Sequence, residues 1–370
     1  MDEKFMKRAL ELAKEGEGKV NPNPQVGAVI VKNNKIIGEG YHEFYGGNHA
    51  EINAIKDSKE SLKGATIYVT LEPCHHYGKT PPCVDSIIEH GFSKVVIGQI
   101  DPNPLVAGKS IEKLKKAGIE VKVGVLEEEC IKLNEVFNKY ILSNEPYVLL
   151  KAAMSLDGKI ATTSGESMWI TGEIARENVH KLRNKYSAIM VGVNTVIKDN
   201  PSLTCRVPNG RNPIRIIVDS KLRIPIDSRV LDISNESRCL IATTKKAPKD
   251  KIKQLKDRGI EVLILQDKDE RVDIRKLIEE LGKLKIDSVL LEGGGTLNFS
   301  FLEAGLVDKV EFYIAPKIIG GDKAKTPVEG VGIGALSESF NIKNISTKFL
   351  GEDLLIEGYL RRGRYVYRNS

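Results

Sequence analysis

Apolar and polar positions in the first 142 residues recur with the spacing of strands and helices in turn. Residues 26–31 form an uninterrupted apolar run, which predicts a buried strand, and residues 65–70 and 94–100 predict two more. Amphipathic helices are predicted at residues 1–18, 49–56, 84–90, 109–117 and 127–142. Because short loops join these segments, the pattern predicts a layered α/β domain.

The helix predicted at residues 127–142 ends in a clear break at residues 143–146, Ser-Asn-Glu-Pro. The apolar positions of this helix that are expected to face inward are Ile131, Val136, Phe137 and Tyr140. We place a domain boundary at the break, which gives domains of residues 1–144 and 145–370. In the second domain, strands are predicted at residues 147–153, 188–192, 214–219, 240–242, 262–265, 288–291 and 310–315, and helices at 173–186, 273–284 and 296–304. Their alternation again predicts an α/β fold.

The length and charge of the chain narrow the class of protein. At 370 residues the chain is long enough for two domains with separate cores. Its 56 basic and 50 acidic residues give a formal net charge of +6, but the two signs are mixed along the chain. Because no basic run or Arg/aromatic stripe marks a nucleic-acid surface, we expect small anionic ligands and no nucleic-acid partner.

The cysteines and the apolar segments indicate the compartment. The five cysteines are an odd number and are scattered, which favours a reducing cytosol over a disulfide framework. The N-terminal helix carries charges throughout, and its apolar residues form no run long enough for export or for crossing a membrane. We therefore expect a cytoplasmic protein without a membrane partner.

Histidine and cysteine residues in the first domain have the spacing of a catalytic zinc site. His49, Cys74 and Cys83 offer one imidazole and two thiols, a three-ligand set that leaves the fourth tetrahedral position for water. Glu51 follows the histidine by two residues and is expected to move protons without binding the metal. The order H-x-E, then P-C and a second Cys, is that of zinc-dependent nucleobase deaminases.

The spacing of the two cysteines differs from that motif. Eight residues separate Cys74 from Cys83, where nucleic-acid and nucleoside deaminases usually have two. The insert is polar and contains Gly78 and Lys79, so we interpret it as a loop that reshapes the pocket. Pro82 is expected near the start of a helix. Cys83 would then lie at a helix N-terminus, where the positive end of the dipole favours the thiolate.

Other interpretations of this site remain open at this point. His75 or His76 could supply a fourth ligand, which would make the zinc structural and leave Glu51 without a role. A binding or regulatory protein with a vestigial site would also have a fourth ligand and no turnover. A nucleic-acid or nucleoside deaminase with an accessory domain is the main alternative, but it predicts a basic groove.

A second motif lies at residues 288–297, where an apolar strand ends in Gly293-Gly294-Gly295 before a helix. Glycines let the backbone approach an anion, and a helix N-terminus supplies free N–H groups and a positive dipole. The motif therefore predicts a pyrophosphate cradle. It is not GxGxxG, and a glycine-rich turn between strand and helix is the competing interpretation.

Together the two halves resemble the bifunctional deaminase/reductase family of riboflavin biosynthesis, whose pattern includes the long insert between the cysteines. The matching segments are HAE at 49–51, PCHHYGKTPPC at 73–83, KAAMSLDGKIAT at 151–162, ESMWIT at 166–171, VGVNTVIKDNPSLTCR at 192–206 and LEGGGTL at 291–297. The resemblance covers nearly the whole chain. It implies a cytidine-deaminase-like three-layer α/β/α domain at the N-terminus and a dihydrofolate-reductase-like α/β domain at the C-terminus.

The resemblance also implies the activities and their cofactors. The first domain would use Zn²⁺ to remove the 2-amino group of 2,5-diamino-6-ribosylamino-4(3H)-pyrimidinone 5′-phosphate. The second would use NADPH to reduce the ribosyl group to ribityl, giving 5-amino-6-ribitylamino-uracil 5′-phosphate. The zinc ligands carry over to His49, Cys74 and Cys83, and the proton shuttle to Glu51. The partners are thus phosphorylated ribosylaminopyrimidines, and a homo-oligomer is left open.

Family contacts in the reductase map onto this sequence residue by residue. NADPH contacts map to Ala153, Trp169, Thr195, Asp199, Ser220, Gly294, Gly295, Thr296, Leu297, Asn298, Phe299 and Ser300. Substrate contacts map to Ser167, Arg183, Leu203, Arg206 and Glu292. Lys151 and Glu292 are candidates to protonate the reduced sugar, and Lys221 or Arg223 could meet a 2′-phosphate. In the deaminase, the loop residues Asn23, His42, Lys79 and Asn103 are candidates to bind the base or the phosphate.

Overall fold

A computed structural model describes residues 1–75, 82–104, 106–234 and 237–360 of the chain. These residues form two compact units, one spanning Met1–Asn144 and the other beginning at Glu145. No helix within the described ranges is long and apolar enough to span a lipid bilayer.

The first unit is built on a five-stranded sheet. Its elements are α1 (Asp2–Lys14), β1 (Gly27–Lys32), β2 (Lys35–Tyr41), α2 (Ala50–Asp57), β3 (Thr66–Leu71), α3 (Cys83–Glu89), β4 (Lys94–Gln99), α4 (Lys109–Lys116), β5 (Glu120–Val123), α5 (Glu127–Leu133) and α6 (Glu135–Ser143). The strand order is β2-β1-β3-β4-β5, in which β1 pairs antiparallel with β2 and β3. The pairs β3–β4 and β4–β5 are parallel.

Apolar side chains cover both faces of this sheet, because alternate residues of a strand point to opposite sides. On one face, Ile30 and Ile67 pack with Ala54 of α2, Ile87 of α3 and Leu114 of α4. On the other face, Val29, Val31 and Val96 pack with Phe5 and Met6 of α1 and Cys130 of α5. The unit therefore has the three layers α/β/α that were predicted.

The second unit is built on a nine-stranded mixed sheet. Its elements are β6 (Tyr147–Ser155), α7 (Glu173–Lys185), β7 (Ala188–Gly192), α8 (Val193–Asp199), β8 (Ile214–Val218), β9 (Cys239–Thr244), α9 (Lys249–Asp257), β10 (Glu261–Leu265), β11 (Asp267–Lys268), β12 (Arg271–Val272), α10 (Ile274–Lys283), β13 (Ser288–Leu291), α11 (Gly295–Glu303), β14 (Lys309–Ala315), β15 (Lys343–Leu350) and β16 (Asp353–Tyr359). The strand order is β10-β9-β8-β7-β13-β6-β14-β16-β15, while β11 and β12 form a separate hairpin.

In the large sheet, the first seven strands in this order, from β10 across to β14, run parallel to one another. The pairs β14–β16 and β16–β15 are antiparallel. The central strand β13 is buried along its whole length, as expected for a strand covered on both faces. In a parallel sheet the carboxyl ends of the strands meet at one edge, where ligands bind. The segments that follow β7, β8 and β13 therefore lie near one another.

The structure corrects the sequence prediction at residues 127–142. The chain forms two helices there, and Asn134 separates them with φ −105° and ψ 24°. The residues predicted to face inward are only half-buried, whereas Asn134, Glu135, Asn138 and Lys139 are buried. Hydrogen bonds explain this, since Asn134 Nδ2 donates to the carbonyl of Gln25 and its Oδ1 accepts from the Gln25 amide.

Candidate active sites

His49, Cys74 and Cys83 come together at one end of the first sheet. His49 is the N-cap of α2, Cys74 follows β3 by three residues, and Cys83 is the first residue of α3 after Pro82. His49 Nδ1 lies 3.4 Å from Cys74 Sγ and 3.3 Å from Cys83 Sγ. The Cys83 amide donates to Cys74 Sγ at 3.2 Å. The predicted position of Cys83 at a helix start is confirmed.

The distances among these three side chains fit a zinc ion. A tetrahedral Zn²⁺ with bonds of about 2.3 Å to sulfur and 2.0–2.1 Å to nitrogen places such atoms roughly 3.6 Å apart. Among the residues that the structure describes, His49, Cys74 and Cys83 are the group whose ligand atoms all lie within 4.8 Å of one another. His75 is not in this group, and His76 lies outside the described residues.

Glu51 lies in the first turn of α2, two residues after the histidine ligand, and is only 3% exposed. Burial raises the pKa of its carboxyl group to about 6. A hydrogen bond from Cys83 lowers the pKa of Cys74 to about 4, and the same contact raises the pKa of Cys83. A buried carboxyl beside a three-ligand group has the position of a proton carrier.

The loops around this group hold two of the predicted pocket residues in contact. Asn23 Nδ2 lies 3.2 Å from His42 Nε2, and His42 Nδ1 lies 2.9 Å from the Asn48 carbonyl. Because a carbonyl only accepts, Nδ1 carries the proton and Nε2 accepts from Asn23. The imidazole of His42 stands edge-on to that of His49, with ring centroids 5.6 Å apart. His42 therefore links Asn23 to His49 of the three-residue group.

Asn103 lies on a loop that a buried carboxylate anchors. The Asn103 amide donates to Asp101 Oδ1 at 2.8 Å. Glu72 accepts from the amides of Asp101 and Gly108 and from the hydroxyl of Ser110, which fixes both ends of the loop. Lys79, the other candidate pocket residue, lies outside the described residues.

A cavity of about 960 Å³ opens at the carboxyl edge of the second sheet. Its lining includes these residues that the sequence predicts to contact NADPH or substrate: Ser167, Thr195, Asp199, Ser220, Gly294, Gly295, Thr296, Leu297 and Ser300. A hydrogen bond links Ser167 to Asp199, whose pKa is raised because its carboxyl is partly buried. The structure thus gathers segments that are more than 130 residues apart in the chain around one space.

The glycine segment forms the floor of this cavity. Gly294 is the N-cap of α11, and Gly295 is its first residue. A Cβ atom on Gly295 would lie 2.5 Å from Glu329 Cγ and 2.8 Å from the Thr326 carbonyl, so only glycine fits there. A Cβ on Gly294 would meet only Thr195 Oγ1, at 3.7 Å. The backbone at Gly294 is therefore open toward the cavity, as a phosphate cradle requires.

Two residues before the cradle, Glu292 lies between two cations. Arg183 Nη2 and Lys151 Nζ lie 2.9 and 3.4 Å from Glu292 Oε2. Arg183 also donates to the Thr204 carbonyl at 3.2 Å. Burial alone would raise the pKa of Glu292, but the charges of Arg183 and Lys151 lower it to about 2. The carboxylate is thus charged at neutral pH and orients both cations.

The remaining predicted residues lie elsewhere in the second unit. Trp169 is largely exposed, and the guanidinium of Arg176 stacks 4.7 Å from its ring centroid. Ala153 and Leu203 are half-buried and buried, respectively. Asn298 is buried and donates to the Pro327 carbonyl, and Phe299 faces a separate apolar cavity, so neither lines the cavity of the cradle.

One residue near Arg183 was missed by the sequence analysis. His180 lies one turn earlier on α7, and burial together with the charges of Arg183 and Arg206 lowers its pKa to about 4. Because the charges of both arginines act on His180, the exposed Arg206 also lies near Arg183. The only signal in the sequence is the spacing of three residues on a predicted helix, which many surface helices share.

Comparison with known proteins identifies both units. The family described as the cytidine and deoxycytidylate deaminase zinc-binding region matches residues 1–99, and the RibD C-terminal domain family matches residues 146–356. The riboflavin biosynthesis protein RibD of Actinobacillus pleuropneumoniae is 54% identical over 353 residues, which cover 95% of this chain and 94% of the relative. The chain belongs to the RibD family.

Other RibD proteins agree over the full length. The riboflavin biosynthesis protein RibD of Aquifex aeolicus is 46% identical, over 96% of this chain and 98% of its own. A Thermotoga maritima structure, a diaminohydroxyphosphoribosylaminopyrimidine deaminase/5-amino-6-(5-phosphoribosylamino)uracil reductase, has a TM-score of 0.87 and 43% identity. The match covers 97% of this chain and 99% of that one. The predicted fold class, the bifunctional deaminase/reductase assignment and the use of zinc and NADPH are confirmed.

Proposed function

We propose that this RibD protein hydrolyses the 2-amino group of 2,5-diamino-6-ribosylamino-4(3H)-pyrimidinone 5′-phosphate in its first unit. The second unit then reduces the ribosyl group to ribityl, and the product is 5-amino-6-ribitylamino-uracil 5′-phosphate. The observation that carries the first step is the buried Glu51, which lies beside three zinc ligands and is not one of them. The family of the chain supports the substrate.

Different residues of the first unit have different roles in the hydrolysis. His49, Cys74 and Cys83 would hold zinc, which when bound lowers the pKa of water and supplies a nucleophile at neutral pH. Glu51 accepts a proton from the attacking water and delivers it to the amino group that leaves as ammonia. Asn23, His42, Lys79 and Asn103 are proposed to contact the base or the phosphate from the surrounding loops.

The residues of the second unit position two ligands for reduction. NADPH, when bound, supplies the hydride. The backbone at Gly294 and the N-terminus of α11 fit the pyrophosphate, and Thr195, Asp199 and Ser220 line the same cavity. The exposed Arg206 suits the phosphate of the substrate, because a guanidinium pairs with phosphate oxygens at two points. Arg183 pairs with Glu292 through its own fork and is proposed to contact the substrate beside it. Lys151, whose Nζ lies 3.4 Å from Glu292 Oε2, is proposed to protonate the reduced sugar.

The test separates the two activities. The purified protein is incubated with the diaminopyrimidinone phosphate, with and without NADPH, while ammonia release and nicotinamide absorbance are followed separately. We expect ammonia in both reactions and loss of NADPH absorbance only when the deaminated intermediate is present. Absence of ammonia release from a zinc-loaded protein would contradict the proposed first step.

We propose a cytoplasmic location, which the cysteines support. Cys74, Cys83, Cys130, Cys205 and Cys239 form no disulfide in the described part of the chain, a state that a reducing compartment maintains. The nucleic-acid deaminase considered above has no observation in its favour. The cytoplasmic location is tested by fractionation of cells that produce the protein from its own gene, with immunodetection. Recovery with the membrane or secreted fraction would contradict the proposal.

A further inference from the structure

We propose that Arg223, assisted by Ser220, selects NADPH over NADH by binding the 2′-phosphate of the adenosine ribose. The inference rests on the proposed reductase function, and it adds the residues that distinguish the two nicotinamide cofactors. NADPH differs from NADH only by this phosphate, so selection requires a positively charged or hydrogen-bond-donating site near the adenosine end of the cavity.

The loop after β8 presents Arg223 to the cavity. Asp219 Oδ2 accepts from the Ile224 amide at 2.8 Å, which closes a tight loop over residues 219–224. Leu222 and Ile224 are buried, and their neighbours Lys221 and Arg223 alternate with them along the loop. Lys221 and Arg223 are exposed and line the cavity.

A hydrogen bond joins Arg223 to the wall that carries the phosphate cradle. Arg223 Nη2 donates to Asn194 Oδ1 at 2.7 Å. Asn194 lies in the first turn of α8 and precedes Thr195, the residue nearest the open position on Gly294. The guanidinium is thus held on the same side of the cavity as the cradle for the pyrophosphate, by a partner that does not neutralise its charge.

Two of the cations beside the loop, Lys221 and Lys246, have a charge partner that Arg223 lacks in the described part of the chain. Lys221 Nζ lies 3.9 Å from Glu270, and Lys246 Nζ lies 3.0 Å from the same carboxylate. Within the ranges that the structure describes, Arg223 forms no ion pair. An uncompensated guanidinium at the mouth of a cavity favours an anionic ligand, and its planar fork matches phosphate oxygens.

The hydrogen bonds of Ser220 and Asp219, on the same loop, also favour a phosphorylated ribose. Ser220 Oγ accepts from the Val272 amide at 3.0 Å, so its hydroxyl proton remains available to a phosphate oxygen. A carboxylate after a strand can instead bind the ribose 2′-hydroxyl and favour NADH. Asp219 lines the same cavity but is only 1% exposed, and its Oδ2 accepts from the Ile224 amide. The segment therefore offers donors and a positive charge to the ribose.

The test measures binding without any turnover. Isothermal titration calorimetry compares 2′,5′-ADP with 5′-AMP, which differ only in the 2′-phosphate, and NADPH with NADH. The proteins are the wild type, Arg223→Gln, Arg223→Lys and two controls. Arg271→Gln alters another exposed arginine of the same cavity, and Arg238→Gln alters an arginine paired with Glu261 that does not line it.

We expect the wild type to bind 2′,5′-ADP at least about 10-fold more tightly than 5′-AMP, as a charged hydrogen-bonded phosphate contact gives. Arg223→Gln should reduce this ratio to within about 3-fold and leave the affinity for 5′-AMP unchanged. Arg223→Lys, which keeps the charge and loses the fork, should give an intermediate ratio. Both control variants should retain the wild-type ratio.

Three outcomes with the variants, and one with the wild type, would overturn the inference. The ratio could survive in Arg223→Gln, it could be lost in Arg271→Gln and not in Arg223→Gln, or Arg223→Gln could weaken 5′-AMP as much as 2′,5′-ADP. Equal binding of NADPH and NADH by the wild type would also refute it, while leaving the reductase assignment intact. A wild-type protein that binds neither cofactor would instead refute the proposed NADPH site itself.

Discussion

Arg183 and Glu292 form a two-point ion pair although 109 residues separate them in the chain. Arg183 Nε and Nη2 lie 3.3 and 2.9 Å from the two carboxylate oxygens of Glu292. Arg183 lies in the last turn of α7, and Glu292 follows the central strand β13. The pair therefore fixes a helix to the carboxyl edge of the sheet, next to the phosphate cradle.

Replacement of Arg183 with Met should destabilise the second unit by about 3 kcal/mol, because it leaves a buried carboxylate with Lys151 as its remaining charge partner. Adding Glu292→Leu to that variant should recover part of the loss, since the buried charge is then removed. Urea denaturation of the wild type, of Arg183→Met, of Glu292→Leu and of the double variant measures both effects. Strictly additive losses would show that the two side chains do not stabilise each other.

The same pair predicts how stability depends on pH. The pKa of Glu292 is about 2 in the folded protein, and an unfolded glutamate has a pKa of about 4.3. A lowered pKa stabilises the fold fully above the unfolded value, and the stabilisation is lost as the pH falls through the folded value. The wild type should exceed Glu292→Gln in stability at pH 7, and this difference should shrink by about 3 kcal/mol toward pH 2.

Denaturation of both proteins at several pH values between 7 and 3 tests this dependence. Because the comparison uses the difference between the two proteins, acid effects on other groups cancel. A difference that stays constant between pH 6 and pH 3 would show that Glu292 is not held in its charged form.

Glu51→Gln should retain one zinc ion per chain and lower the kcat of deamination by at least about 10²-fold, because the amide cannot carry the proton. Cys83→Ser should instead lose zinc, since it removes a ligand of the three-residue group. Metal analysis and ammonia release distinguish the two variants. Both should oxidise NADPH normally when they are given the deaminated intermediate, and loss of that activity would indicate general misfolding.

Gly294→Ala and Gly295→Ala form a matched pair for the phosphate cradle. Gly294 has φ −71° and room for a Cβ, so its alanine variant should unfold like the wild type. The new methyl group should nevertheless weaken NADPH binding by about 10-fold, because the backbone there approaches the cofactor. Gly295→Ala should cost about 1–3 kcal/mol of stability, since its Cβ would overlap Glu329 and Thr326.

Calorimetric titration of NADPH and thermal denaturation separate the two effects. Unchanged NADPH affinity in Gly294→Ala would show that the cofactor does not approach this backbone, whatever happens to Gly295→Ala.

Local sequence patterns predicted most of the elements that form the two sites. The proposed zinc ligands lie after a strand end and at two helix starts that the apolar runs indicate directly. Strand β13 with its glycines was recognisable for the same reason. The order of strands in the second sheet was not predictable, because β13 lies between β7 and β6 and these contacts join distant segments.

The sequence analysis failed where burial depends on distant partners. Asn138 is buried because its amide pairs with Gln99, 39 residues earlier, and hydrophobic periodicity cannot reveal such a partner. Strand β15 was missed because it is exposed and not because it is buried by a distant partner. Its residues are exposed on both faces except at Leu350, so no alternation of apolar and polar positions marks it.

The proposed metal ligand His49 and the proposed proton carrier Glu51 share the start of one helix, where the Asn53 amide donates to the His49 carbonyl at 3.1 Å. Their separation is therefore set by helical geometry and not by the surrounding loops. Insertions or substitutions in those loops can change which pyrimidine fits, while the hydrolytic pair keeps its internal spacing. The first unit can thus alter its specificity without rebuilding its chemistry.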